Sequence, residues 1–184
     1  MGIRDNLMMN EIGLNWRAVP ADDQWVKRTQ GKLNGSRAVF AHNTTESEVT
    51  EAVQYGGVGI VATKEIAHRN ITTGKDPTNL GRWSWIRIQG KEGQSVRIAT
   101  EYRPCESPGA NTVFHKQARG LSKTDDHRNP SDAFLQDLAQ AIKVWKEAGD
   151  HIIIGMDANE DVRNGEVNTM FEGLGLREAI LDKH

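Results

Sequence analysis

Cysteine is nearly absent from this sequence, since Cys105 is the only one among 184 residues. A disulfide needs two thiols, so none can form within the chain, and no metal site can be built from several cysteines. A single cysteine is compatible with a reducing compartment. We therefore expect an intracellular protein, either cytoplasmic or nuclear.

Long apolar runs are also missing. No stretch approaches the roughly 18 apolar residues that a membrane-spanning helix needs. Residues 1–10 carry Arg4 and Asp5 in place of the apolar centre of a signal peptide. We therefore expect no membrane partner. Hydrophobic residues make up 37% of the chain and charged residues 26%, which is typical of a folded globular domain.

The chain as a whole lacks an excess of positive charge, because its net charge is −2. A local basic groove can nevertheless lie on a neutral protein. Basic residues outnumber acidic ones between residues 64 and 103, where they are Lys64, Arg69, Lys75, Arg82, Arg87, Lys91, Arg97 and Arg103. This segment predicts either a solvated sheet face or a surface that binds nucleic acid.

Alternating apolar residues predict a β-hairpin in the middle of the chain. Segments 83–88 and 95–101 both alternate with the period of a half-buried strand, and Gly90 and Gly93 favour a turn between them. A third strand is predicted at 58–63. The apolar run 151–155 is continuous, which is typical of a strand buried on both faces.

Helix signals lie between and after these strands. Asn129 can cap a helix that has Pro130 at its first position and ends at Gly149. The segment 45–48 reads as a capping box for a shorter helix ending near Tyr55. A third helix is marked by Val167, Met170, Phe171 and Leu174.

Together these elements predict an α/β or α+β domain in which helices cover sheets. We expect one domain over residues 1–184. The connection 102–129 shows little periodicity and contains Pro104, Pro108, Gly109 and Gly120, so we expect a long loop there, of the kind that often carries function.

Three polar features follow predicted strands. Asp157 and Asn159 come after the buried run, where they could orient a water and bind a phosphate oxygen; an Asx turn that closes the strand is the equal alternative. Tyr102 and Arg103 follow the second hairpin strand, and could contact a phosphodiester or simply pack and pair. Glu11 follows an apolar stretch, and could bind Mg²⁺ or be a surface residue.

The order of these features resembles the endonuclease/exonuclease/phosphatase superfamily, which includes DNase I-like enzymes, abasic-site endonucleases and retroelement endonuclease domains. The segments that carry the resemblance are 10–16, with Glu11 and a retroelement-like Leu14-Asn15-Trp16; the glycine-led strand 57–61; 97–104, with Tyr102 and Pro104; and 154–159, with Asp157 and Asn159.

The resemblance implies two mixed β-sheets packed face to face with helices on the outer faces, a four-layer sandwich with its site at one edge. It implies that Glu11 binds Mg²⁺, or alternatively Mn²⁺, and that Asp157 activates water. By the same resemblance Asn159 and Tyr102 bind the phosphate, and further substrate contacts are expected from Arg103, Gln117 and Arg119.

Two motifs of that family do not match. Its first strand, which carries an Asn, is expected before residue 1, and the chain lacks its C-terminal Ser-Asp-His motif. Asp182 and His184 resemble that motif in composition but not in spacing, so we interpret them as a tail. We expect an incomplete sandwich.

The sequence therefore predicts a Mg²⁺-dependent phosphodiester hydrolase, an endonuclease on DNA more than on RNA, with a reverse transcriptase domain as a partner in the full gene product. Two alternatives stay open. One is a catalytically inactive fragment or binding module of this fold, which the missing histidine favours. The other is a small-molecule or lipid phosphatase, because a fold does not determine its substrate.

Overall fold

The structure, a computed structural model, describes residues 7–11, 35–45, 57–161 and 163–179, and for 7–11 it describes the backbone. The strands are β1 Leu7–Glu11, β2 Arg37–Ala41, β3 Val58–Ala62, β4 Asn70–Lys75, β5 Trp83–Gln89, β6 Ser95–Tyr102 and β7 Asp150–Asp157. The helices are α1 Lys64–His68, α2 Val113–Ser122, α3 Pro130–Glu147 and α4 Glu166–Gly173.

The strands form two sheets. The first is antiparallel with the order β1-β3-β2, and the second has the order β4-β5-β6-β7. Within the second sheet β4, β5 and β6 pair antiparallel, while β6 and β7 pair parallel. The parallel pair needs a long crossover, which α2 and α3 supply. The predicted α+β class with two sheets is confirmed.

Apolar side chains between the two sheets form one core. Ile60 of β3 packs there with Ile86 and Ile98 of the second sheet, and all three are almost fully buried. Ile66 and Ala67 of α1 close one end of this layer. The sheets therefore pack face to face, as the resemblance implied.

A second core lies on the outer face of the four-stranded sheet. Phe134, Leu138 and Ile142 of α3 are fully buried against this face. Asn129 caps the helix by accepting a hydrogen bond from the backbone N–H of Ser131 at 2.8 Å, and Gly149 follows it at φ +76°. The prediction of this helix from its cap, its apolar spacing and its terminal glycine is confirmed.

The other predicted elements also have clear outcomes. The hairpin strands, the strand after Gly57 and the C-terminal helix α4 are confirmed. The helix predicted from the capping box at 45–48 and the tail with Asp182 and His184 lie outside the described residues. In the described ranges no helix is both long and apolar enough to cross a membrane.

The prediction of a long loop over 102–129 was wrong, because this connection contains α2. Thr112 caps α2 by accepting from the His115 N–H at 3.4 Å. Its buried residues Phe114, Gln117 and Leu121 follow helical spacing. Gly120 hid the helical pattern, because glycine is typical of loops. A Cβ at this position would lie 2.5 Å from Leu80 Cδ2, so only glycine lets α2 pack this closely against Leu80.

The prediction that 151–155 is buried on both faces was also wrong. The strand β7 lies at the edge of its sheet, and Ile153 remains 45% exposed. Ile152 and Ile154 pack towards α3, whereas Ile153 lies on the opposite face of β7. A continuous apolar run therefore does not distinguish a strand that is buried on both faces from an edge strand that has only one covered face.

The basic segment 64–103 is not uniformly a solvated sheet face, which was the first of the two interpretations of its charge. Arg82 is fully buried and pairs with Asp76 at 2.8 Å and with Asp137 at 2.9 Å. Arg87 and Arg97 both pair with Asp150. Internal ion pairs therefore neutralise much of the basic charge, and the exposed cations of this segment are Lys64, Arg69, Lys75 and Lys91.

We expect Leu138→Ala to lower the free energy of unfolding by about 2–5 kcal/mol, because it leaves a cavity in a fully buried part of α3. Urea denaturation measures the change. Val144→Ala is the matched control, since Val144 lies on the same helix but is 51% exposed. Equal losses in the two variants would contradict this packing of α3.

Candidate functional site at one edge of the sandwich

Tyr102 and Asp157 lie side by side where β6 and β7 end. The two strands are parallel, and the register pairs Tyr102 directly with Asp157. The alignment continues beyond the strands, because the Arg103 N–H donates to the Asp157 carbonyl at 3.1 Å. Strand ends held in register are rigid positions for polar side chains.

Asp157 and Asn159 are joined by a tight turn. The Asn159 N–H donates to Asp157 Oδ1 at 3.2 Å, and Asn159 has a left-handed backbone with φ +50°. The Asn159 side chain donates from Nδ2 to the carbonyl of Arg103 at 2.6 Å. The Asx turn of the alternative reading is thus present, and it also orients both side chains. Asp157 Oδ2 accepts no hydrogen bond from a described residue.

The first sheet brings Glu11 to the same edge. In the register of the first sheet, Val58 pairs with Glu11 on one side and with Ala41 on the other. Val58 and Ala41 in turn pack against the ring of Tyr102, which is 8% exposed. The backbone of Glu11 therefore lies at the end of the sandwich that holds Tyr102 and Asp157.

The structure places the three expected substrate contacts in different surroundings. Arg103 is 8% exposed, and its guanidinium pairs with Glu160 through Nη1 and with Glu166 through Nη2, the latter at 2.6 Å. Gln117 is 1% exposed on α2. Arg119 is exposed and donates to the carbonyl of Ala110 at 3.0 Å. Contact with a substrate stays a prediction for all three.

Glu160 directly follows Asn159, and its position in the sequence predicts a solvated or helix-capping residue; the structure shows the capping contact. Besides pairing with Arg103, it accepts a hydrogen bond from the Val167 N–H at 2.6 Å, in the first turn of α4. A carboxylate at a helix N-terminus is stabilised by the free N–H groups there. Glu160 thus ties the turn after Asn159 to both β6 and α4. The sequence did contain a signal for this ion pair, because Arg103 directly follows β6 and the oppositely charged Glu160 follows β7.

The donor set at this edge fits a hard cation. Carboxylate and amide oxygens are the preferred protein ligands of Mg²⁺ and also suit Mn²⁺; Asp157 and Asn159 carry such oxygens here, and Glu11, whose backbone lies at this edge, would add a carboxylate. The described residues contain no group of three or more His, Cys, Asp or Glu that could hold a metal. Mg²⁺ does not need one, because it often keeps several waters and takes one or two carboxylates.

Glu101 is adjacent to the site in sequence but lies on the other face of the sheet. It pairs with Trp83 and Met156, which belong to the face that packs towards α3. It is 1% exposed, and neither carboxylate oxygen has a hydrogen-bond partner among the described residues. Burial raises the pKa of Glu101 to about 8, because the charged form would lose its hydration.

No protein-family model and no curated protein matches this sequence significantly. Among solved structures, the catalytic domain of human Nocturnin, determined with a bound sulfate anion, is similar with a TM-score of 0.51 and 13% identity. The match covers 90% of this chain and 55% of that chain, so this chain spans about half the length of that domain. The likeness shows the fold: the DNase I-like fold of endonuclease/exonuclease/phosphatase proteins.

We expect Glu101→Gln to remove a pH dependence of stability. The folded pKa of about 8 lies above the ordinary 4.5, so the protonated carboxyl's contribution is complete below 4.5 and lost as pH rises to about 8. In that window this residue makes the free energy of unfolding fall as the pH rises, by on the order of 1 kcal/mol per pH unit. Urea unfolding across the window measures the slope, with the exposed Glu92→Gln as control. A parent and Glu101→Gln variant with parallel profiles would contradict the assignment.

Proposed function

We propose that this chain is a Mg²⁺-dependent phosphodiester hydrolase that cuts nucleic acid, with Mn²⁺ as an alternative metal. The observation that carries the proposal is that the backbones of four polar residues lie at one edge of a DNase I-like sandwich. These residues are Glu11, Tyr102, Asp157 and Asn159.

Each residue has a chemical role that its surroundings allow. Asp157 Oδ1 is used in the turn, so Oδ2 is the oxygen that orients and deprotonates the attacking water. An amide nitrogen carries two hydrogens; Asn159 donates one to Arg103, and the other donates to a phosphate oxygen. The Tyr102 hydroxyl donates to a second such oxygen.

Glu11 is the residue that would hold the metal, with Asp157 nearby. A bound Mg²⁺ would supply positive charge to the phosphate and to the leaving oxygen. The other protein groups then need only hold the phosphodiester in line with the water, since phosphoryl transfer is catalysed largely by positioning and charge.

Two observations support the proposed substrate and setting. The retroelement-like segment Leu14-Asn15-Trp16 favours a retroelement-type endonuclease acting on DNA, inside the cell and beside a reverse transcriptase domain. The sulfate anion bound to the Nocturnin catalytic domain supports an anion-binding site on this fold, because sulfate has the shape and charge of a phosphate group.

The first test is nicking of supercoiled plasmid by the 184-residue chain with Mg²⁺ and with EDTA. We expect nicking with Mg²⁺ only, and a 10²–10⁴-fold loss in Asp157→Asn, roughly the contribution of a general base. Asparagine can still accept the turn hydrogen bond, so the fold is retained. Asp125→Asn, a change at an exposed aspartate, is the control. Full nicking by Asp157→Asn would refute its role.

We also expect Glu11→Gln to abolish the response to Mg²⁺, because an amide is a weaker ligand than a carboxylate for a hard cation. A Mg²⁺ titration of nicking measures this, with Glu92→Gln in the turn between β5 and β6 as the matched control. An unchanged titration curve would contradict the metal assignment. If the parent chain itself does not nick, the inactive binding module becomes the better reading.

A further inference from the structure

A histidine lies at the same edge of the sandwich, on the side away from Glu11. His42 directly follows β2, whose last residue Ala41 packs against Tyr102. β1 and β2 run in the same direction on either side of β3, so their ends lie at the same level. The end of β1 and the end of β2 are therefore two strand spacings apart, which is roughly 10 Å.

The backbone of His42 is closely confined. A Cβ on Gly81, whose φ is +76°, would lie 2.6 Å from His42 Cα, and one on Gly57 would lie 3.7 Å from His42 Cβ. Thr44 also donates its N–H to the carbonyl of Asn79 at 2.9 Å. Gly81 therefore makes room for the His42 backbone, and the position of His42 relative to the second sheet is determined.

Lys75 reaches the same place from the second sheet. It is the last residue of β4 and pairs with Ser84, whose side chain is fully buried on the sheet face towards the first sheet. Cross-strand partners share a face, so Lys75 projects towards the end of β2, which packs against β4 and β5. Lys75 is exposed and has no ion pair with a described carboxylate.

The ring of His42 is half-buried, and no described residue forms a hydrogen bond with its Nδ1, which is shielded from solvent. Burial lowers the pKa of His42, and the positive charge of Lys75 lowers it further. Burial and Lys75 therefore both favour the neutral imidazole, which offers one N–H as a donor. A neutral donor beside an unpaired ammonium is a suitable pair for a phosphate oxygen.

We propose that His42 and Lys75 form a second phosphate contact, which holds a neighbouring phosphate of the nucleic-acid strand whose scissile phosphate lies at Tyr102 and Asp157. The proposal rests on the proposed function, because it takes that site as the scissile position. The ends of β1 and β2 lie roughly 10 Å apart, and each strand of duplex DNA carries one phosphate per about 3.4 Å of helix axis, so a phosphate beside Glu11 and a phosphate beside His42 belong to nearby nucleotides of one strand. A substrate with one phosphate cannot occupy both positions.

The test is binding of a fluorescent single-stranded oligonucleotide, followed by anisotropy in EDTA so that no cutting occurs. We expect Lys75→Ala to weaken binding several-fold and to reduce the slope of log K against log salt by about 0.7, the value for one phosphate contact on a single strand. Lys91→Ala is the matched control: it removes the same charge at the opposite end of the second sheet, and should bind as the parent does.

His42 is tested by two substitutions. His42→Ala should weaken binding, and His42→Gln should restore part of it because the amide again offers an N–H. If the histidine variants are unstable, Lys75→Ala alone tests the second phosphate contact, because Lys75 is exposed and its replacement leaves the fold intact. Identical salt slopes for Lys75→Ala and Lys91→Ala would overturn the proposal, and so would failure of the parent chain to bind the oligonucleotide.

Hydrolysis of bis(p-nitrophenyl) phosphate by the parent chain in Mg²⁺ tests the proposed function separately, because this diester has a single phosphate. Turnover without a Lys75 effect on oligonucleotide binding would refute the second contact and leave the hydrolase. A Lys75 effect without turnover would support the binding surface and refute catalysis by this chain.

Discussion

The parallel pairing of β6 with β7 determines how far Tyr102 lies from Asp157, and two arginines determine the register of that pairing. Asp150 begins β7 and accepts from Arg87 Nε at 2.7 Å and from Arg97 Nε at 2.8 Å. Arg97 is held in turn over the ring of Trp85 at 3.9 Å. A slip of one residue would move every side chain of β7 to the other face and would leave this buried carboxylate unpaired, which is costly.

Buried ion pairs of this kind also explain why the basic composition of segment 64–103 did not predict a uniformly basic surface. An arginine inside the sandwich counts as basic in a sequence, yet Arg82 contributes little external field because Asp76 and Asp137 neutralise it locally. Lys75, by contrast, is exposed at the end of an edge strand. The buried arginines therefore contribute little to the potential that a polyanion meets, and the exposed cations of this segment are Lys64, Arg69, Lys75 and Lys91.

Much of the fold could be predicted because the signals were local. The hairpin strands alternate, and α3 has a cap, an apolar stripe and a terminal glycine within its own sequence. The errors arose where the decisive fact was distant. Gly120 looked like a loop residue because the sequence does not show that Leu80 approaches it. Ile153 looked buried because a run of apolar residues does not reveal whether both faces of the strand are covered.

The site was predicted in part for a similar reason. Asp157 and Asn159 are two positions apart and share a turn, so their proximity is visible in the sequence, and the family resemblance supplied the link to Tyr102 and Glu11. His42 carries no local mark of function. It follows a short strand, and its place at the edge depends on the register of the first sheet and on the loop that contains Gly81.

The two edges of the second sheet differ in a way that bears on the site. β4 carries a bulge between Asn70 and Thr72 and ends in Lys75, features that discourage pairing with another strand. β7 has an apolar edge along a groove of about 340 Å³ that includes Ile153 and Phe171. Asp157 therefore ends a strand supported by β6 on one side. Its precision depends on the Asn159 turn and on the Arg103–Glu160 pair, which together replace the second neighbouring strand in holding the carboxylate.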